Sequence, residues 1–273
     1  MNASVATRKF EYSSLSKFVD SLQAEGRYSF CREEALTKIQ VSAEALKKTV
    51  ARLVAKRRVV VPKRGFYVIV PIEYRSAGAP PPLWFIDELM HHLGRQYYVG
   101  LLSASALYGA AHQQPQEFQV VTDRPERPIS VGRGRIRFVV KKNITQALAT
   151  EVKTETGTMR VSTPETTALD LVRYVSAAAG LGNVATVLAE LAERIDPQRL
   201  VGAARINGEL AHAQRLGYLL CCVGAKKQSR ALADWLMTMH PRPVPLRAGG
   251  SVQGHPTDPR WRIIVNEGIE VDL

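Results

Sequence analysis

The sequence predicts an α/β protein of the α+β kind, with an N-terminal winged helix-turn-helix and a larger C-terminal mixed α/β domain. Two observations lead to this class. Residues 15–70 contain three helical patterns and then a β-rich hairpin, and a proline-rich stretch separates them from a region of alternating strands and helices. We therefore assign residues 1–76 to the winged domain, 77–83 to a linker and 84–273 to the α/β domain.

Composition indicates a globular protein without a membrane segment. The chain has 273 residues, of which 45% are hydrophobic, so two domains with full cores are expected. No apolar run approaches the roughly 18 residues that a membrane span needs, and the N-terminus lacks the apolar core of a signal peptide. Three cysteines, an odd number, favour free thiols in a reducing cytoplasm.

The positive charge is concentrated near the N-terminus. The formal net charge is +12. Residues 1–75 hold 15 Lys and Arg against 7 Asp and Glu, a net charge of +8, whereas residues 76–273 hold 22 against 18, a net charge of +4. A basic N-terminal region favours a polyanionic partner, with nucleic acid ahead of a membrane.

Three helices are predicted before the hairpin. The first covers residues 15–24 and the second about 31–39, and the third begins at the N-cap Ser42 and ends near Lys56. The third helix has an apolar stripe at helical spacing, formed by Leu46, Val50, Leu53 and Val54. Helix, helix, short turn, helix and hairpin is the order of a winged helix-turn-helix.

The segment RRVVVPKRGFYVIV, residues 57–70, is interpreted as the wing. Residues 59–61 and 66–70 form its two strands, and Gly65 supplies the positive φ angle of the turn. Lys63 and Arg64 at the tip are placed to contact a phosphate backbone, although a charged solvated turn has the same sequence pattern.

The outward face of the third helix is the candidate DNA-reading surface. Arg52 is the candidate for a bidentate guanine contact, and Ser42 could donate to a phosphate at the helix start. Lys56 also suits the negative end of the helix dipole. A solvated basic face is the alternative. The predicted DNA-binding residues in this domain are Ser42, Lys47, Lys48, Arg52, Lys56, Lys63 and Arg64.

After the linker, strands and helices alternate. The strongest helix signal is Thr163-Pro164-Glu165, which combines an N-cap, a proline at the first helical position and an acid in the first turn. The predicted helices cover residues 83–93, 99–111, the segment after Thr163, 182–194, 197–206, 208–222 and 226–239. The predicted strands cover residues 117–122, 129–131, 136–140, 159–161 and 261–265.

A second basic run covers residues 123–142, with a net charge of +5. Arg133, Arg135 and Arg137 alternate in it, so on one strand they would share a face. We add these three to the predicted DNA-binding residues as a second phosphate track, with an exposed sheet face as the alternative.

No catalytic constellation is found in the sequence. Gly249-Gly250-Ser251 followed by Asp258 lacks the second carboxylate that a nucleotidyltransferase needs for its metal ions. Asp170 and Arg173 are interpreted as a surface ion pair on one helix. We expect no catalytic residue, no metal, no cofactor and no enzyme activity.

Two stretches carry a family resemblance. YYVGLLSASALYGAAHQQPQEFQVVTDRP (97–125) and TPETTALDLVRY (163–174) resemble the AbiEi antitoxins of type IV toxin–antitoxin systems, which act in abortive phage infection. The resemblance implies an autorepressor that binds inverted repeats in double-stranded DNA at its own promoter. It also implies antagonism of the nucleotidyltransferase toxin AbiEii, without a stable complex and through the C-terminal domain.

The family further implies basic DNA-binding faces on both domains. One alternative is an antitoxin that neutralises its toxin by direct protein–protein binding. Another is an enzyme that acts on the toxin or on its substrate, which the missing catalytic groups disfavour.

Overall fold

The computed structural model describes residues 12–110 and 115–269, and its fold is mixed α/β, as predicted. By their contacts the residues form two compact units. The first unit runs to Arg95 and includes residues 127–136 and 153–159, and the second contains the others. The division into a domain, a linker and a second domain stays a prediction. No helix in the described ranges is long and apolar enough to cross a membrane.

Three helices begin the first unit close to their predicted bounds. They are α1 (Leu15–Ala24), α2 (Arg32–Ile39) and α3 (Ala43–Ala55). Ser14 and Ser42 begin α1 and α3, because their hydroxyl oxygens accept hydrogen bonds from the backbone N–H groups of Lys17 and Ala45. The sequence located these helices well because caps and apolar spacing agree.

The apolar stripe of α3 is narrower than predicted. Leu46, Val50 and Leu53 are buried, but Val54 is 40% exposed. Each residue turns about 100° around a helix, so the step from Leu53 carries Val54 past the edge of the packed face. The prediction that Val54 is buried is wrong.

The wing is an antiparallel hairpin within a three-stranded sheet. Its strands are β1 (Ser29–Cys31), β2 (Val59–Lys63) and β3 (Phe66–Ile69), in the order β1-β3-β2. Gly65 takes a φ of 81° in the turn, as the hairpin prediction requires. The sequence missed β1 because three residues between two helices show no periodicity. The order of these elements is compatible with a winged helix-turn-helix.

The segment after the wing contains two short 3-10 helices, Ile72–Tyr74 and Pro82–Trp84. The Trp84 ring lies 4.7 Å from the Tyr28 ring and 5.2 Å from the Tyr74 ring, measured between centroids. These aromatic contacts hold the end of the segment within the first unit. Helix α4 (Ile86–His92) follows and lies inside its predicted range.

A six-stranded sheet has the order β6-β7-β5-β4-β9-β8. Its strands are β4 (Tyr97–Val99), β5 (Phe118–Thr122), β6 (Ile129–Val131), β7 (Gly134–Val140), β8 (Ala149–Thr154) and β9 (Gly157–Ser162). The predicted strands correspond to β5, β6, β7 and β9. Strands β4 and β8 were missed, since β4 is a short, fully buried run that adjoins a helical pattern.

Helices provide the main core of the second unit. They are α5 (Leu101–Leu107), α6 (Pro164–Arg173), α7 (Leu181–Leu191), α8 (Pro197–Asn207), α9 (Leu210–Cys222) and α10 (Lys226–Met239). All lie near their predicted positions, although residue 111, the end of one prediction, lies outside the described residues. Thr163 caps α6 through a hydrogen bond from the Thr166 N–H, as expected.

Near the C-terminus, β10 (Val244–Pro245), β11 (Thr257–Asp258) and β12 (Ile263–Ile264) form a small sheet in the order β10-β12-β11. The predicted strand at 261–265 corresponds to β12. Trp261, which is buried, packs against α9 at Gly217. A Cβ atom at Gly217 would lie 1.9 Å from Trp261 Cζ3, so only glycine fits there.

We expect Gly217→Ala to destabilise the protein by about 1–3 kcal/mol, because the indole cannot move aside in a packed core. Gly202 in α8 is the matched control, since nothing lies within 4 Å of a Cβ atom there. Gly202→Ala should stabilise the helix by about 0.5–1 kcal/mol. Urea unfolding of the full chain measures both, and equal midpoints for the two variants would contradict the close Gly217–Trp261 contact.

Candidate nucleic-acid interface

The exposed face of α3 carries three cations without acidic partners. Lys47, Lys48 and Arg52 are exposed, and none of them forms an ion pair with another described residue. Ala51 and Ala55 on the same helix are also exposed and small. The face is therefore positively charged, and its small side chains allow a partner to approach the helix backbone closely.

Ser42 stands at the N-terminus of this face. Its Oγ accepts from the Ala45 N–H at 3.2 Å, so its own O–H remains available to donate. Lys56 lies at the other end as the exposed C-cap. Arg58, two residues further along the chain, is partly buried, donates to Ser16 Oγ at 2.8 Å and pairs with Asp20. The sequence alone did not distinguish these two cations.

The wing turn is anchored to two helices of the first unit. His92 Nε2 donates to the Arg64 carbonyl oxygen at 3.1 Å, and the Arg32 N–H of α2 donates to the Gly65 oxygen at 2.8 Å. The Arg64 side chain is exposed, whereas Lys63 is half-buried. The contact of His92 with the wing turn could not be predicted from the sequence, because 28 residues separate His92 from Arg64.

The arginines of the second basic run do not form one row. Arg133 lies in the turn between β6 and β7, where its N–H donates to the Ala77 oxygen at 2.8 Å. Arg135 and Arg137 lie on β7. The Arg137 guanidinium is 3.5 Å from Glu117 Oε2, so its charge is partly neutralised. The expectation that the three line one strand face is wrong, because the turn residue has left the strand.

A buried ion pair lies in the second unit. Lys141 Nζ is 2.7 Å from Asp170 Oδ1, and Tyr98 Oη donates to Asp170 Oδ2 at 2.6 Å. Asp170 is fully buried. The expected surface pair of Asp170 with Arg173 is wrong, since almost every side of α6 is buried and Asp170 faces the core. Arg173 instead contacts Glu209 at 3.0 Å.

Electrostatics keep the Tyr98 phenol neutral. Burial raises its pKa, and the Asp170 charge raises it further, so the phenol stays protonated and donates. Burial also raises the pKa of Tyr174 to about 12. In the described part of the chain, no cluster of three His, Cys, Asp or Glu side chains could hold a metal ion.

Comparison with known proteins identifies this region. Residues 98–222 match the family model described as the AbiEi antitoxin C-terminal domain. We call residues 98–222 the AbiEi domain. The predicted resemblance to AbiEi antitoxins is thereby confirmed, and the match supports an antitoxin role in a toxin–antitoxin system. No curated protein matches the chain.

The fold is also similar to that in the crystal structure of the RV2827C protein from Mycobacterium tuberculosis. The similarity covers 93% of this chain and 91% of that chain, with a TM-score of 0.65 and 14% sequence identity. At this identity the likeness concerns the fold alone.

Tyr98, Lys141 and Asp170 all lie inside the AbiEi domain. Together these three residues connect strand β4, the end of β7 and the middle of α6. Replacing one partner leaves the other charge buried without compensation, and this is the costly way to break such a pair.

We expect Asp170→Ala to destabilise the AbiEi domain by about 3–5 kcal/mol, because it leaves the buried Lys141 ammonium and Tyr98 hydroxyl without their hydrogen-bond acceptor. Asp234→Ala is the control for loss of an acid on an exposed helix position and should unfold close to the unmodified protein. Chemical unfolding followed by circular dichroism measures both. A loss below about 1 kcal/mol for Asp170→Ala would contradict the central part assigned to this pair.

Proposed function

We propose that this protein is a DNA-binding antitoxin and transcriptional autorepressor, with α3 as its reading helix. The observation that carries the proposal is the exposed face of α3, where Lys47, Lys48 and Arg52 have no acidic partners among the described residues. Arg27 and Arg58, elsewhere in this unit, are paired with acids. Unpaired cations on one helix face suit a phosphate backbone.

The dimensions of α3 suit a DNA groove. Its 13 residues correspond to a length of about 20 Å, and the major groove, about 12 Å wide, admits one helix. Arg52 is proposed to contact a guanine edge, and Lys47, Lys48 and Lys56 to contact phosphates. The Ser42 hydroxyl is proposed as a phosphate donor at the helix start.

The wing would contact the backbone beside this helix. Its turn is anchored by His92 and Arg32, so little backbone conformational entropy is lost when Arg64 meets a phosphate. Lys63 is proposed to act with it. Arg133 and Arg135, which are exposed, are proposed as further phosphate contacts, and Arg137 as a weaker one because Glu117 lies beside it.

The proposed operator is an inverted repeat in the protein's own promoter. The AbiEi match supports this part of the proposal. An inverted repeat has two-fold symmetry, so two copies of the chain would bind, each placing one α3 in a half-site.

The slope of log affinity against log salt is negative, and replacing Lys47 by alanine should make it shallower by about one unit, because one phosphate contact is lost. Lys17→Ala is the matched control, since it removes an equally exposed lysine from α1. Fluorescence anisotropy with promoter DNA at several salt concentrations measures both slopes. Equal slopes for the two variants would show that the change comes from net charge alone, and would contradict the assignment of α3 as the DNA-contacting helix.

We further propose that the protein counteracts the nucleotidyltransferase toxin AbiEii in the cytoplasm, and that this activity resides in the AbiEi domain. The family match at residues 98–222 supports the assignment. The predicted DNA-reading residues of α3 lie outside that range, so DNA reading by α3 and neutralisation are proposed to use different residues.

A variant with Lys47→Ala, Lys48→Ala and Arg52→Ala should lose promoter binding but still restore growth to cells that express the toxin from an unrelated promoter. Growth rescue and anisotropy measure the two activities, and the Lys17→Ala variant controls for expression. Loss of rescue with normal protein levels would show that neutralisation needs the α3 face.

Co-elution of the purified toxin and antitoxin in size-exclusion chromatography would favour the alternative, in which the antitoxin neutralises its toxin by direct protein–protein binding.

A further inference from the structure

A small cavity in the AbiEi domain is not used by the proposed function. It has a volume of about 150 Å³ and lies beyond the end of β7, against α6 and α8. One part of its lining is cationic and polar, with Lys141, Lys142 and Arg173. The opposite part is apolar and includes Leu148 and Ile206.

The buried ammonium of Lys141 is held in place at this cavity. A lysine ammonium has three N–H donors, and the hydrogen bond to Asp170 uses one of them. Asp170 is itself fixed by the Tyr98 hydroxyl. The Lys141 side chain is only 8% exposed, and its ammonium also lies 5.7 Å from the centroid of the Tyr98 ring. Its remaining donors are therefore shielded from bulk water, in a residue that lines the cavity.

Two further cations complete the positive side. Lys142 is exposed and forms no ion pair with a described residue. Arg173 binds Glu209 through Nη1 at 3.0 Å, and its guanidinium has additional N–H donors. Glu209 is the acidic residue in the lining. Three cations against the Glu209 carboxylate of the lining and the Asp170 carboxylate behind Lys141 give the site a net formal charge of +1.

Uncharged hydrogen-bonding groups surround these charges. Asn143, Asn207 and Thr166 also line the cavity. Several donor-bearing residues around one small volume suit a tetrahedral dianion, whose terminal oxygens accept many hydrogen bonds, better than a carboxylate with two oxygens. The net positive charge of the site also favours an anion.

The size of the cavity and its apolar wall limit what can be attached to such an anionic group. Since one water takes up about 30 Å³ in the liquid, the cavity has room for a phosphoryl group and a few more atoms. Leu148 and Ile206 are partly exposed apolar side chains, and they would cover a small carbon portion. We propose that this cavity binds the phosphomonoester group of a small phosphorylated metabolite.

A DNA phosphate does not suit this site. A phosphodiester has one negative charge and a sugar on each side, and the Lys141 ammonium lies too deep for such a group to approach. The proposal therefore stands apart from DNA binding by α3. Phosphate binding by the full chain can be measured without DNA, so each proposal can fail without the other.

Isothermal titration calorimetry of the full chain tests the site, with inorganic phosphate and glycerol 3-phosphate as probes and sodium chloride holding the ionic strength constant. Lys142→Gln should weaken the binding of both probes about tenfold, because an exposed cation in direct contact with the anion is lost. Lys227→Gln is the matched control, since Lys227 is exposed on α10 and does not line the cavity. It should bind both probes like the unmodified chain.

Three outcomes would overturn the proposal. One is the absence of saturable binding up to about 10 mM of either probe, the range of weak specific sites. Another is an equal loss for Lys142→Gln and Lys227→Gln, which would indicate attraction by net charge. The third is equally tight binding of dimethyl phosphate, a diester, which would contradict a phosphomonoester site. A thermal melt of each variant confirms that it is folded.

Discussion

The second unit depends on a carboxylate that is fully removed from water. One Asp170 carboxylate oxygen accepts a hydrogen bond from Lys141 and the other accepts one from Tyr98. Asp170 lies in the middle of α6, Lys141 at the end of β7 and Tyr98 in β4. Burying an ion costs several kcal/mol unless its partners are well placed. The three elements are therefore held in one arrangement, because any other would leave a buried charge without compensation.

The same constraint positions the cavity beside it. Lys141 cannot withdraw to solvent without leaving Asp170 unpaired, so its side chain keeps its position in the cavity lining. Arg173 follows Asp170 by almost one helical turn, and Glu209 holds it from α9's N-cap position. A structural ion pair thus also fixes the donors of a candidate binding site, which is how preorganisation lowers the cost of binding.

The positive charge of the chain serves different purposes in different places. Arg58, Arg137 and Lys141 have acidic partners and contribute to structure. Lys47 and Lys48 have none among the described residues and contribute to the potential outside the protein. Net charge counts these residues alike. Only their partners in the fold separate a cation that presents its full charge to a ligand from one whose charge is already partly compensated.

The sequence by itself determined the α/β class, most helix bounds, the wing and the AbiEi resemblance. Caps such as Ser42 and Thr163, helical apolar spacing and a glycine at the turn are local signals that act within a few residues. Strands β1 and β4 are three residues each and acquire their structure from hydrogen bonds to distant strands, so local patterns did not predict them.

Only the tertiary structure decided the partners of the charged groups. At a spacing of three residues, Asp170 and Arg173 had the pattern of a surface pair, yet burial of α6 directed Asp170 to Lys141, 29 residues away. Likewise, Arg133 left its expected row because it lies in a turn. A charge is paired through space, at distances of a few ångströms, and the linear sequence does not contain those distances before the chain has folded.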